Sequence, residues 1–151
     1  MKYFNNNFLV ENANLSKLAK KFGTPFYCYS YKQLKQNINK FKLNFKSFSP
    51  LICFALKANS NLEIIKEIRK LGLGADVVSK GELMKALKAG INSKKIVFSG
   101  VGKTSSELSY AIDKKILLIN SESKSEIFEI EKLAKYKKKV VDIGVRLNPN
   151  T

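Results

Sequence analysis

Two rhythms of apolar and polar positions alternate along most of the chain. Short runs rich in aliphatic and β-branched residues occur at Ile52–Ala55, Ala75–Val78, Ile96–Phe98, Ile116–Ile119 and Val140–Leu147. Their first residues lie about 20 to 24 positions apart, the length of one compact strand-plus-helix unit. Between the runs the spacing changes from strand-like to helical. Leu62, Ile65, Ile68 and Leu71 fall on one helical stripe, as do Leu83, Ala86 and Leu87, and such a stripe needs a surface to bury against. Each of the first four runs is followed by a helix-start signature: Ser60 with Glu63, Ser79 with Glu82, Thr104 with Glu107, and Ser123 with Glu126. In a capping box of this kind the hydroxyl accepts the amide three residues on, while the glutamate reaches back to the cap's own amide. Gly72 and Gly90 stand where the first two of these helices are expected to end.

A helix between every pair of strands forces the strands to be parallel, with right-handed crossovers. Two architectures satisfy that: a closed (βα)8 barrel and an open doubly wound sheet. An open sheet built for a dinucleotide would carry G-x-G-x-x-G after its first strand, and here that place reads Lys57-Ala58-Asn59-Ser60-Asn61. The short, even period favours the barrel. The expected fold is therefore α/β, an incomplete (β/α)8 TIM barrel with about five parallel strands present. Three further units of about 22 residues would add roughly 65 residues, yet the last apolar run ends at Leu147, so the sequence predicts a truncated fragment. Residues 1–30 are expected to form an N-terminal lead-in segment, with Thr24-Pro25 ahead of another apolar run at Phe26–Ser30. A helix is predicted from about Tyr31 to Phe45, and residues 31–151 make up the partial barrel domain. Its unpaired edges, near Ile52–Ala55 and Val140–Leu147, are the kind that pair with other chains.

Composition narrows the class further. A chain of 151 residues with 44% hydrophobic content is large enough for one domain with a core. No apolar run is long enough to cross a bilayer, and Met1–Val10 lacks the apolar stretch of a signal peptide. The formal charge of +16 raises the question of a nucleic-acid partner. Of the 28 basic residues only Arg69 and Arg146 are arginine, and the lysines are spread along the whole chain. Nucleic-acid binders cluster such charges on one face, often among stacking aromatics. The densest run, Lys135, Lys137, Lys138 and Lys139, sits between a helix pattern and a strand pattern, as solvated surface lysines do. Neither a nucleic acid nor a membrane is expected as a partner. Cys28 and Cys53 lie within apolar runs and there is no histidine, so buried thiols of a cytoplasmic protein are expected and a metal site is not.

Four residues break the apolar pattern in ways that bear on chemistry. Lys57 follows Ile52-Cys53-Phe54-Ala55-Leu56 directly, which places its amine at the carboxyl end of a strand, where barrel active sites are built. Desolvation at such a place makes an amine nucleophilic; the alternative is a strand-end lysine reaching out to solvent. Arg146 lies inside Val140–Leu147, two residues after Gly144, and a guanidinium on a barrel strand needs a carboxylate or an anionic ligand. An ion pair with Asp76 is one such arrangement. Asp76 itself enters an apolar run between Ala75 and Val77, while Glu82 is either a cap residue or an acidic site residue. The stretch Ser99-Gly100-Val101-Gly102-Lys103-Thr104 has the Gly-Lys-Thr of a phosphate-binding loop. The glycine that motif requires five residues before Gly102 is replaced by Val97.

Taken together, several stretches resemble the fold-type III, alanine-racemase-like family of pyridoxal-phosphate-dependent enzymes. They are Thr24-Pro25-Phe26-Tyr27, Phe54 to Asn61, Gly74 to Leu83, Ile96 to Thr104, and Val145-Arg146-Leu147-Asn148-Pro149. Within that family they are most similar to the decarboxylases acting on diaminopimelate, ornithine and arginine. Asn59-Ser60-Asn61 after Lys57 and the Gly-Val-Gly-Lys-Thr stretch tilt the resemblance to the diaminopimelate branch. The resemblance implies that pyridoxal 5′-phosphate is the cofactor and that Lys57 is the catalytic residue that holds it. It implies that Asp76 and Arg146 line the cofactor pocket, and, more weakly, that Glu82 is an acidic site residue. The implied reaction is decarboxylation of meso-diaminopimelate to L-lysine, with an amino acid as substrate and a homodimer as the complete enzyme. The family's ring-stacking histidine, glycine-rich phosphate loop and substrate-binding tyrosine have no counterpart here, so the fragment alone is expected to be inactive. The alternative is a non-catalytic remnant, or a partner subunit, of a related ornithine- or arginine-type decarboxylase.

Overall fold

The computed structural model of the chain describes residues 2–4, 7–45, 47–147 and 149. It contains two compact units, Met1–Ser49 and Pro50–Thr151.

The first unit opens with a small antiparallel meander of β1 (Lys2–Phe4), β2 (Asn7–Val10) and β3 (Ala13–Asn14). Tyr3 and Phe8 face each other across β1 and β2 with stacked rings 4.8 Å apart, the kind of cross-strand pair that stabilises a sheet. Asn14 ends β3 and starts α1 (Leu15–Phe22), its side chain accepting the Lys17 amide at 3.1 Å. Helix α2 (Tyr31–Asn44) agrees with the predicted helix from about Tyr31 to Phe45. Its start is held twice over. Ser30 accepts the Gln33 amide at 3.0 Å, and Glu11 accepts both the Ser30 hydroxyl (2.7 Å) and the Lys32 amide (2.8 Å). These hydrogen bonds hold the Glu11 carboxyl below its ordinary range. The apolar run Phe26–Ser30 forms no strand.

The second unit repeats strand and helix. Strand β4 (Cys53–Ala55) leads through a 3-10 turn (Leu56–Ala58) to α3 (Leu62–Lys70), and β5 (Gly74–Val77) to α4 (Lys80–Lys88). Then come β6 (Ile96–Phe98), α5 (Ser105–Asp113), β7 (Leu118–Ser121), α6 (Lys124–Lys137) and β8 (Ile143–Val145). The strands are parallel and lie side by side in chain order, β4 to β8. Each helix packs on the next, α3 on α4, α4 on α5 and α5 on α6, so the helices form one row over the sheet. A doubly wound sheet reverses its strand order and splits its helices between two faces. This unit does neither; it is a consecutive section of a (β/α) barrel.

Helix stripes and sheet share one apolar core. Ile65, Leu83, Ala86 and Leu108 from the helices meet Ala75, Val77, Ile96, Phe98 and Ile119 from the strands, all fully or almost fully buried. Gly72 and Gly90 take positive φ just past α3 and α4, as expected. The chain then turns back, so that the Leu73 amide reaches the Ile68 carbonyl and the Ile91 amide the Ala86 carbonyl.

The four predicted helix starts differ in detail. Thr104 and Glu107 form the complete reciprocal box. Ser79 and Ser123 cap as expected, each accepting an amide at 3.2 Å. Their glutamates, however, reach one residue further back, Glu82 to the Val78 amide (2.9 Å) and Glu126 to the Glu122 amide (2.8 Å). Helix α3 is capped by Asn61, whose side chain accepts the Glu63 amide at 2.9 Å, and Ser60 instead accepts Lys85 Nζ. Glu107 does more than cap its own helix. Its second oxygen accepts the Lys80 amide at 3.0 Å, tying the start of α5 to that of α4, and these bonds hold its carboxyl below the usual range. The run Val140–Leu147 is strand only over Ile143–Val145. Among the described residues no helix is long and apolar enough to cross a membrane.

Candidate active site

Parallel strands in chain order bring the residue after each strand to one end of the sheet, and that end collects the polar side chains. Lys57 lies in the 3-10 turn directly after β4. Leu56 beside it is wholly buried and anchors the turn, which leaves Lys57 exposed. Among the described residues Lys57 makes no hydrogen bond or ion pair. The desolvation expected for its amine is therefore not provided by the walls of this chain. Position at the strand end holds; burial does not.

Asp76 is half-buried on β5, between Ala75 and Val77, which are sealed against the helices. Strand alternation puts Asp76 on the opposite face, toward the barrel interior. Ser99, just past β6, donates its hydroxyl to Asp76 Oδ1 at 2.6 Å, and Asn120 Nδ2 on β7 donates to Ser99 Oγ at 3.0 Å. Asn120 is in register with Gly144 on β8, and a Cβ at Gly144 would collide with Asn120 Oδ1. A hydrogen-bond chain thus runs from Asn120 through Ser99 to Asp76, with Gly144 paired to Asn120 at its far end. Cys53 lies on the same face, its thiol pushed up by burial and secondarily by the Asp76 charge.

Arg146 departs from expectation. It lies one residue beyond β8, its amide bonded to the Ser121 carbonyl and its side chain 57% exposed. The carboxylate it meets is Glu122, with Arg146 Nη1 3.3 Å from Glu122 Oε2, and not Asp76. Register explains the exchange. Asn120 pairs with Gly144 and Ser121 with Val145, so Arg146 comes level with Glu122, while Asp76 lies on β5, separated from β8 by β6 and β7. Asn148, at the end of the stretch quoted with Arg146, lies outside the described residues. Glu82 is half-buried, with one oxygen committed to the Val78 amide as a helix cap.

The Gly-Val-Gly-Lys-Thr stretch has a different occupation from the one its spelling suggests. Lys103 is buried, 1% exposed, and its ammonium donates to the Gly100 carbonyl, the Asn120 carbonyl and Glu126 Oε1, each at 2.7 Å. An ammonium has three protons to give, and all three are used. The Gly100 amide, which a phosphate would need, donates to Glu122 Oε1 at 2.9 Å. The loop is a clamp between strand ends, with a carboxylate where an anion would bind.

Sequence reasoning missed Ser99, Asn120, Lys103 and Glu122. A signal existed for the first two. Ser99 and Asn120 each directly follow an apolar run, and Asp76 interrupts the run before them, at intervals close to the period of the runs themselves. For Lys103 and Glu122 there was none, because local sequence does not show which lysine or glutamate is buried.

The family model for the pyridoxal-dependent decarboxylase, pyridoxal binding domain, matches residues 31–151. The chain belongs to this family. Pyridoxal is therefore the family's cofactor, in line with the sequence-based expectation. Diaminopimelate decarboxylase of Helicobacter pylori strain J99 is 47% identical over 137 residues, 91% of this chain and 34% of that protein. The crystal structure of diaminopimelate decarboxylase from M. jannaschii superposes with a TM-score of 0.94 at 38% identity, covering 99% of this chain and 36% of that one. The Helicobacter pylori enzyme complexed with L-lysine gives 0.87 at 45% identity, over 91% of this chain and 35% of that one. The chain spans about a third of the length of the curated relatives it matches. The incomplete TIM barrel expected from the repeat is the fold found.

Proposed function

We propose that this chain carries the cofactor-holding part of a pyridoxal-phosphate-dependent carboxy-lyase converting meso-diaminopimelate to L-lysine. The observation that carries the reading is Lys57, an exposed amine without a partner among the described residues, at the carboxyl end of the sheet and two residues past Ala55, the register partner of Asp76. The relatives named diaminopimelate decarboxylase, and the related structure that holds L-lysine, support the substrate and product.

The residues present fit such a cofactor. An amine that attacks a carbonyl carbon needs a lone pair not engaged by neighbours, and Lys57 is the lysine so placed at the strand ends, whereas Lys103 is spent. Pyridoxal phosphate, when bound, supplies the electron sink that lets a carboxylate leave as carbon dioxide. Asp76 offers a negative charge whose orientation is held by the Ser99 hydroxyl. Arg146 offers a cation 3.3 Å from Glu122, its side chain 57% exposed. Glu82, half-buried, has one oxygen engaged as a helix cap. In this reading residues 1–30 lead into the pyridoxal-binding barrel of residues 31–151. The working protein is a cytoplasmic homodimer acting on a small amino acid, with no nucleic acid or membrane partner.

Mapping the lysine that pyridoxal phosphate modifies tests the reading on the chain itself. After incubation with the cofactor and borohydride reduction, peptide mass spectrometry is expected to place the pyridoxyl group on Lys57 in preference to the other lysines. Lys57→Ala is expected to abolish the saturable part of the labelling. Label spread evenly over surface lysines would sink the assignment.

A further inference from the structure

Three half-buried side chains on the interior face share one chain of hydrogen bonds, and the chain has a direction. Ser99 Oγ donates to Asp76 Oδ1 at 2.6 Å, the short separation of a hydroxyl on a carboxylate. Asn120 Nδ2 donates to Ser99 Oγ at 3.0 Å. Both donors stand on main chain that is itself held. The Ser99 amide bonds to the Val77 carbonyl, and the Asn120 carbonyl accepts the buried Lys103 ammonium. A Cβ at Gly144 would collide with Asn120 Oδ1, so the carboxamide occupies space that a side chain on β8 would need.

The order of donors is forced. A hydroxyl has one proton to give, and an ionised carboxylate can only accept. Turning the Asn120 carboxamide over would set its oxygen against Ser99 as well, leaving two acceptors to share that one proton. With Nδ2 toward Ser99, the proton has a single destination, Asp76 Oδ1. No hydrogen-bond donor reaches Asp76 Oδ2 among the described residues. We propose that Asn120 is a positioning residue for Asp76. Acting through Ser99, it fixes the carboxylate on the interior face and leaves Oδ2 to accept from a donor group of the bound cofactor or substrate. Asp76 is placed for this, being the register partner of Ala55, two residues before Lys57. An acceptor oriented beforehand gives up less side-chain freedom when its donor arrives. The use made of Oδ2 rests on the cofactor reading above; the direction of the chain does not.

Asn120→Asp tests the direction, because it exchanges a donor for an acceptor in nearly the same shape. Urea unfolding of the whole chain, of Asn120→Asp and of Asn120→Ala is compared from neutral to mildly acidic pH. At neutral pH Asn120→Asp is expected to be the least stable of the three, with two carboxylates set against one hydroxyl proton. Its deficit should shrink as the pH falls, since a carboxyl that is harder to ionise in the folded state binds more protons there and can again donate to Ser99. The Asn120→Ala deficit should stay level. Equal deficits for the two variants at every pH would overturn the proposal, because the amide would then only fill space. The functional arm uses pyridoxal phosphate as the probe. Ser99→Ala and Asn120→Asp are expected to weaken saturable labelling of Lys57 severalfold, and Ser99→Thr, which keeps the hydroxyl, to retain it. Beside Asp76→Asn, Asn120→Asp should cause no further loss. An equal loss in both backgrounds, or no loss in Ser99→Ala, would mean that Asn120 does not act through Asp76. If Lys57 is not labelled in the parent chain, it is the cofactor reading that fails, and the unfolding series still decides the direction of the chain.

Discussion

The two faces of the five-stranded sheet are made from alternate residues of the same strands, yet they follow opposite rules. Toward the helices stand Ala75, Val77, Ile96, Phe98 and Ile119, every one of them 0% exposed and apolar. Toward the barrel interior stand Asp76, Val97, Ser99, Leu118, Asn120 and Gly144, half-buried and mostly polar or small. The first face is held by the area it removes from water, which is non-directional and tolerates no polar group without a partner. The second is held by a directional chain of hydrogen bonds from Asn120 to Ser99 to Asp76. The fold is stabilised on one side of each strand, which leaves the other side free to carry chemistry. A strand of three or four residues can do both only because its period is two.

The largest effect expected is at Phe98, the bulkiest fully buried side chain. Phe98→Ala removes a ring from the shared core, one with the Lys103 ammonium 5.7 Å from its centre, and should cost about 3–5 kcal/mol. Urea unfolding followed by circular dichroism measures it. Asn120→Ala, on the other face of the neighbouring strand, should cost far less, because it removes a hydrogen bond at a half-buried site worth about 1 kcal/mol. If the two substitutions cost the same, the division of labour between the faces is wrong.

Gly144 offers a finer version of the same comparison. It is on the interior face, opposite Asn120, and a methyl group there would strike the Asn120 carboxamide. Asn120 is a side chain that can swing, but only by giving up its bond to Ser99. Gly144→Ala should therefore destabilise by about 1–3 kcal/mol, the range for overpacking. Pairing it with Asn120→Ala should recover part of that loss, a coupling of about 0.5 kcal/mol or more in a double-mutant cycle. Strict additivity would show that Gly144 and Asn120 do not act on one another.

How much of this was legible in the sequence follows from the same division. The helix-facing side announces itself, since burial requires apolar residues at fixed spacing, and that is why the repeat, the parallel sheet and the barrel section could be anticipated. Lys57, Asp76 and Arg146 stood out because a charge interrupts an apolar run. Their surroundings were not legible. An ion pair of Arg146 with Asp76 was one arrangement considered, but strand order puts two strands between β5 and β8, and the carboxylate Arg146 meets is Glu122, which follows the adjacent β7. The phosphate-loop spelling around Lys103 fails at Val97, but spelling does not reveal that three acceptors close around its ammonium. Ser60 lost its cap to Asn61 one residue on, two adjacent polar side chains that compete for the same amides. The meander at Lys2–Asn14 is built of strands too short to show a period at all.

The smallest effect tests whether acid reaches either face. The covered face carries no carboxylate, so its contribution should not depend on pH. Outside both faces, Asp113 at the end of α5 is gripped by Lys137 and Lys139, each at 2.7 Å. The two lysine hydrogen bonds lower its pKa from the ordinary 3.8 to about 2. A carboxylate whose pKa falls on folding binds fewer protons in the folded state, so its contribution is complete above 3.8 and disappears as the pH drops toward about 2. Asp113→Asn should therefore melt slightly below the parent at neutral pH, and the gap should close across that window. Because the group is exposed, added salt should shrink the gap as well. A gap that persists unchanged below the window, or that salt leaves untouched, would mean that Asp113 acts by packing rather than by charge. The acid sensitivity of this part of the molecule would then have to be sought at Glu107, whose carboxyl is lowered by the Lys80 and Thr104 amides.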